Sequence, residues 1–255
     1  MIISGLDPSG GAGVQADIQA ATALGVHPLP ILSCLTVQDT RNVYNAAPVE
    51  ADLVRQQLDH LAADCRIDAV KTGAMGNAAV VNVVADFLER HPDLPLVLDP
   101  VIKAAGGGDL ADDELLGAMR HRLFHRAEVI TPNGIELMQL GGFEDEGSSA
   151  RKLLDEGCRG VLATGGHGTG QVITNTLYRH NQADSSWQIE RVGGEYHGTG
   201  CTLAAAIAAG RATGLCLEDA IEQAQRFVST AINQALAVGH GQPVPDRGAP
   251  WTANG

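Results

Sequence analysis

Apolar positions along the chain follow two alternating periods. Short apolar runs at residues 2–4, 30–36, 69–72, 96–98, 129–131 and 160–164 read as strands. Between them, apolar residues recur at helical spacing over residues 13–24, 50–64, 78–90, 112–123, 134–140 and 148–156. Strand and helix patterns alternating in this way predict βα units and a mostly parallel sheet covered on both faces. Two later runs, 172–178 and 187–192, flank the polar stretch "RHNQADSS" and predict a hairpin, hence an antiparallel edge. Two final helices are expected over residues 202–213 and 217–237. No repeat or linker interrupts the pattern, so residues 1–240 are expected to form a single domain. Residues 241–255 are expected to be loop or a frayed tail.

Ligands of an open parallel sheet bind outside the carboxyl ends of its strands. The polar clusters fall at such ends. "SGLDPSGGAG" follows the first run, "KTGAMG" the third, "LDPVIKAAGGGD" the fourth, "TPNGIE" the fifth and "TGGHGTG" the sixth. Five loops are therefore predicted to converge on one rim.

Composition narrows what that rim can hold. The apolar fraction of 44% supplies a sizeable core. Thirty Asp and Glu against 17 Lys and Arg give a net charge of −13 with no basic run, which argues against nucleic acid or an anionic membrane as partner. The five cysteines are odd in number and dispersed, against both a disulfide framework and a structural zinc site. With no leader-like start and no apolar run of about 18 residues, a reducing, cytoplasmic setting is expected.

"HGTG" occurs twice, at 167–170 and 197–200, but only the second runs into a helix pattern, "CTLAAAIAAG". The first N–H groups of a helix lack intrahelical partners, and the dipole there favours anions. Gly198 and Gly200 let the backbone around Thr199 curl into a phosphate or oxyanion cradle, or simply into a helix start. Cys201 follows, where a dipole lowers a thiol pKa. It is either a proton acceptor or a small packed residue. Asp17 suits a dipole or a polar ligand. Gln38, where a strand should end, suits donor–acceptor recognition of a heterocycle. Asp99, Asn133 and Glu136 could hold Mg²⁺, while Asn133 and Glu136 also fit a capping box. Neither a G-x-G-x-x-G nor a P-loop pattern is present.

In order along the chain, "SGLDPSGGAGVQADIQA", "LTVQDT", "KTGAMG", "LDPVI", "ITPNGIE", "GGH" and "HGTGCTLAAAIAA" resemble the hydroxymethylpyrimidine and phosphomethylpyrimidine kinase family of thiamine biosynthesis. The resemblance implies a ribokinase-like three-layer αβα sandwich, with a small flap over residues 25–47. It implies phosphorylation of 4-amino-5-hydroxymethyl-2-methylpyrimidine by ATP with Mg²⁺, first to the monophosphate and then to the pyrophosphate. Gly5, Asp17, Gln38 and Val101 then fall at the pyrimidine. Gly198, Thr199 and Gly200 fall at an anion hole, with Cys201 as base. Asp99, Asn133 and Glu136 fall near metal and phosphates, and Thr164, Gly166 and His167 near the nucleotide. Two positions depart from the family: Ala74 replaces a Met in the pyrimidine pocket, and Thr164 a Lys before "GGH", a charge for which Lys103 is a candidate substitute. A pyridoxal-type kinase and a binding module without chemistry are the alternatives, and the oligomeric state is left open, a homodimer included.

Overall fold

The alternating runs assemble into one nine-stranded sheet in a computed structural model that describes residues 1–102, 111–167 and 170–248. The strands are β1 (Ile2–Leu6), β2 (Pro30–Gln38), β3 (Val43–Pro48), β4 (Val70–Thr72), β5 (Leu96–Leu98), β6 (Val129–Ile130), β7 (Gly160–Thr164), β8 (Val172–Arg179) and β9 (Ser185–Glu190). Their order is β3-β2-β1-β4-β5-β6-β7-β8-β9. Pairing is parallel from β2 to β7 and antiparallel at both edges. The carboxyl ends of β1, β4, β5, β6 and β7 therefore share one rim, and the five polar loops leave from it.

Among the described residues eight α-helices cover the faces: α1 (Gly13–Ala23), α2 (Ala51–Asp64), α3 (Ala78–Arg90), α4 (Asp113–Arg122), α5 (Gly134–Gly141), α6 (Glu146–Asp155), α7 (Thr199–Ala212) and α8 (Leu217–Asn233). Strand alternation decides which face each residue serves. Leu96 and Leu98 pack with residues of α2 to α6, whereas Val97, Val129 and Leu162 pack with α1, α7 and α8. The alanines of α7 allow close approach: a Cβ on Gly210 would lie 2.8 Å from Ala220 Cβ in α8. The result is the three-layer ribokinase-like arrangement.

The structure moves several boundaries. Helix α6 starts at Glu146, ahead of the expected 148, because the Asp145 side chain accepts the Ser148 N–H at 2.7 Å. Helix α7 starts at Thr199, because Gly198 turns left-handed at φ 83° and opens the helix three residues early. Helix α8 stops at Asn233; beyond it Leu236 and Val244 exchange backbone hydrogen bonds at 2.8 and 2.9 Å. Strand β3 pairs antiparallel with β2, Thr36 opposite Ala46, within the expected flap segment. Residues 241–248 are loop but not frayed: Pro243 O accepts the His197 N–H at 2.9 Å, and Arg247 is buried. Among the described residues no helix is long and apolar enough to cross a membrane.

Candidate active site

The start of α7 is built by two turns that interlock. Gly198 must be glycine: its φ is positive, and a Cβ there would lie 2.0 Å from Gly11 O. Gly11 in turn lies against His197, whose Cδ2 would be 2.2 Å from an added Cβ. His197 Nε2 meets Asp7 Oδ2 at 2.8 Å. Asp7 also accepts the N–H and hydroxyl of Ser9 at 2.8 and 2.7 Å and the Ala12 N–H at 2.8 Å. Burial alone would raise the Asp7 carboxyl, but hydrogen bonds from His197 and Ser9 hold it below the usual carboxylate range. Above this base no side chain among the described residues caps α7, and Gly200 is exposed. The N–H groups of Thr199, Gly200 and Cys201, one turn of helix start, can serve an anion.

Beneath the cradle lies a charged pit. Lys71 from β4 and Asp17 from α1 are both fully buried, with Lys71 Nζ donating to the two Asp17 oxygens at 2.9 and 2.8 Å. Burial opposes the Lys71 charge, but Asp17 and Asp99 together hold it firmly protonated. Asp99, just beyond β5, is pushed up to about 6 by burial; Lys71 draws it down and Asp17 adds to the rise. The nearby Cys201 side chain also draws it down. Cys201 is therefore not the lowered thiol expected of a helix start. Burial pushes it up to about 12, with Lys71 opposing and Asp99 and Asp17 adding, so at neutral pH it is a protonated donor.

Glu136 completes the acidic side. Burial, then the Asp99 charge, push it up to about 7. The Asn133–Glu136 capping box is present: Asn133 Oδ1 accepts the Glu136 N–H at 2.9 Å, and Glu136 Oε2 accepts the Asn133 N–H at 3.0 Å. Glu136 Oε1 accepts the Ile102 N–H at 3.3 Å. Two buried carboxylates, one of which raises the pKa of the other, fit a hard divalent cation completed by phosphate oxygens and water. No group of three or more protein ligands exists among the described residues.

The residues expected at the pyrimidine do not all meet. Gly5 on β1 lies beside Ala74: a Cβ on Gly5 would sit 3.5 Å from Ala74 Cβ and 2.8 Å from Cys34 Sγ. The Ser33 hydroxyl donates to Ala74 O. Met75, the residue after the departure, is turned into the core. Val101 follows Asp99 in a tight turn, its N–H on Asp99 O at 2.9 Å. Gln38 instead lines a cavity of about 410 Å³ with Ser9, Thr40, Arg41 and His240, whose described walls exclude Gly5, Ala74 and Val101. Asp17 is a correction: it has no exposed surface, and both oxygens are taken by Lys71, so it supports the floor rather than lining the pocket.

On the far side of the rim, the Thr164 N–H and hydroxyl donate to Pro132 O at 3.0 and 3.3 Å, tying β7 to the "TPNGIE" turn. Gly165, Gly166 and His167 form one 3₁₀ turn. The His167 side chain and Lys103 lie outside the described residues. Arg191 reaches over from beyond β9 and donates to Gly166 O at 2.6 Å, Gly170 O at 2.9 Å and Gly165 O at 3.4 Å. Asp7, Lys71 and Arg191 were not foreseen. "DPS" signals the Asp7 turn, and a lone Lys inside "DAVKTG" signals a buried cation. Nothing local marks Arg191.

Known proteins resemble this chain in sequence and in fold. The Phosphomethylpyrimidine kinase family matches residues 7–245. The chain is 36% identical over 249 residues to the hydroxymethylpyrimidine/phosphomethylpyrimidine kinase of Escherichia coli, covering 94% of each chain. It is 34% identical to that of Bacillus subtilis, covering 94% of this chain and 91% of the relative. Among solved structures it superposes on an ADP complex of Bacillus subtilis pyridoxal kinase with a TM-score of 0.88 at 29% identity, covering 97% and 96% of the two chains. A Clostridium difficile phosphomethylpyrimidine kinase superposes with a TM-score of 0.78 at 26% identity, covering 91% and 97%.

Proposed function

The chain belongs to the phosphomethylpyrimidine kinase family, and we propose that it phosphorylates 4-amino-5-hydroxymethyl-2-methylpyrimidine with ATP, then phosphorylates the monophosphate. The observation that carries this reading is the uncapped start of α7 set over the Lys71, Asp99 and Glu136 pit at the sheet rim. Phosphoryl transfer needs positioning and charge stabilisation more than covalent chemistry. The N–H groups of Thr199, Gly200 and Cys201 supply fixed dipoles where charge spreads over the transferred group. Asp99 and Glu136 would hold Mg²⁺, which when bound neutralises phosphate charge against an acidic protein.

Cys201 then orients the hydroxymethyl group. As the alcohol oxygen bonds to the γ-phosphorus, the bond from that phosphorus to the ADP oxygen breaks; the alcohol proton passes to the Cys201 sulfur while the thiol proton passes to an oxygen of the transferred phosphoryl group. Gly5, Ala74 and Val101 offer the ring a flat, small-residue wall. Gln38 can serve the ring's donor–acceptor edge only if the flap of β2 and β3 closes toward them. Asn133, Thr164, Gly166 and His167 line the nucleotide side, with Thr164 supplying no charge to it.

A second reading is favoured by one observation, the TM-score of 0.88 to a pyridoxal kinase. ADP release measured with each alcohol, and with the pyrimidine monophosphate, separates the two. Turnover of the pyrimidine and its monophosphate is expected. Turnover of pyridoxal alone sinks the proposal, and tight pyrimidine binding without ADP identifies a binding module. ADP formation is expected to stop in excess chelator.

A further inference from the structure

The chain beyond α8 does not drape over the surface; it threads the site. Gly241 N donates to Thr40 Oγ1 at 2.9 Å and Gln242 N to Thr40 O at 3.0 Å, in the turn between β2 and β3. Pro243 O takes the His197 N–H at 2.9 Å, and Asp246 N donates to Ala231 O at 2.9 Å. The segment ends on Arg247, 2% exposed. Its guanidinium donates to Thr202 Oγ1 at 2.8 Å, Gln19 Oε1 at 3.2 Å, Gly11 O at 2.5 Å and Gly198 O at 3.4 Å. One side chain thus holds α1, the "GGAG" turn and the start of α7 together.

The bond to Gly198 O has a chemical consequence. That carbonyl already accepts the Thr202 N–H at 3.0 Å and the Thr202 hydroxyl at 2.7 Å. The Thr199 N–H belongs to the same rigid peptide plane and points the opposite way. Fixing the oxygen on three donors therefore fixes the direction of the first N–H of the cradle. Arg247 also carries a full charge with no carboxylate at ion-pair distance among the described residues, although Asp17 and Asp7 draw on it electrostatically. A buried cation so placed retains attraction for a further anion.

We propose that residues 241–247 form a strap whose Arg247 is a positioning residue for phosphoryl transfer. Arg247 holds the Gly198–Thr199 peptide and a positive charge beneath the transferred group, and the strap ties that group's cradle to the flap turn at Thr40. The inference rests on the kinase reading above and extends it to a segment that touches no reacting atom.

The test uses Arg247→Gln and Arg247→Lys in the full chain. For Arg247→Gln, kcat should fall about 100-fold while the KM for the alcohol stays within about threefold, the split expected of lost positioning. Arg247→Lys keeps the charge but cannot span Gly11 and Gly198, so its kcat should lie between the two. Inorganic phosphate, titrated against the amide resonances of Thr199, Gly200 and Cys201, should bind about tenfold more weakly to each variant than to the parent. If Arg247→Gln does not fold, Arg247→Lys carries the test. Parental kcat and parental phosphate affinity in a folded variant overturn the proposal, as does a phosphate titration that leaves those three amides unmoved in the parent. Should the parent phosphorylate no alcohol, the substrate reading fails, while the phosphate titration still decides the role of Arg247.

Discussion

The turns at residues 197–200 and 165–167 both lie on the sheet rim, and they are held in opposite ways. The first is locked from beneath. Gly198 has no room for a Cβ, His197 is pinned on Asp7, and Gly198 O is shared by Thr202 and Arg247. The second is held from outside. Arg191 and Asn175 grip its backbone and Gly165 is pressed against Thr174 O, but at its crest a Cβ on Gly166 would meet nothing within 4 Å. On the proposed kinase reading, the cradle for the transferred group must be preorganised to a fraction of an ångström, whereas the nucleotide can be gripped by a looser rim. Substitutions can break that contrast, and their effects should scale with how tightly each glycine is enclosed.

Gly198→Ala is the most severe. The methyl must displace Gly11 and a side chain must adopt φ near 83°, at a cost of roughly 1–3 kcal/mol in backbone strain before the clash is counted. An activity loss of about 100-fold or more is expected, with a lowered Tm. Steady-state kinetics and thermal unfolding on one preparation check both. Parental kcat would remove the cradle from the mechanism.

Cys201 comes next. A protonated thiol at the foot of the cradle can relay a proton, and so can a hydroxyl, but a methyl cannot. Cys201→Ala should lower kcat about 100-fold and Cys201→Ser less, with pyrimidine affinity by calorimetry nearly unchanged in both. Equal turnover in the two variants would reduce Cys201 to packing.

These two residues were legible in the sequence because their signals are local. Glycines at 198 and 200 abut an alanine run, and Cys201 follows directly. The alternation that set the sheet was equally local, since it depends only on strand period. What escaped was long-range. Asp17 read as a ligand because its partner, Lys71, stands 54 residues away. Asp7 and His197 meet across 190 residues, and Arg247 reaches Gly11 across 236. The expected low pKa of Cys201 failed for the same reason. The α7 dipole is local, but the burial and the Asp99 and Asp17 charges that outweigh it come from other elements.

The acidic pair lies between the turns and gives a pH-dependent test. The folded values, about 6 for Asp99 and about 7 for Glu136, stand above 3.8 and 4.5. The folded state therefore binds more protons than the unfolded state between these values. The stability this lends is complete at low pH and is lost as pH rises through the folded values. Asp99→Asn removes one of the two charges. Its Tm without ligand should exceed the parent's by roughly 5 °C at pH 8 and match it near pH 4. The same variant should bind Mg²⁺-nucleotide about 10- to 100-fold more weakly. A Tm difference that does not change with pH would mean that burial does not raise the Asp99 carboxyl in the folded protein.

Gly166→Ala closes the series at its smallest effect. The position is exposed, its φ is not in the left-handed region, and the new methyl has open space around it. Its carbonyl stays available to Arg191 because the substitution leaves the backbone in place. Both kcat and the KM for ATP should remain within about twofold of the parent, as for surface changes away from special backbone positions. A large rise in the KM for ATP at unchanged kcat would show that the nucleotide presses directly on Gly166. Gly166 would then be enclosed as tightly as Gly198 once ATP is bound, and the contrast between these two glycines would hold only for the free protein.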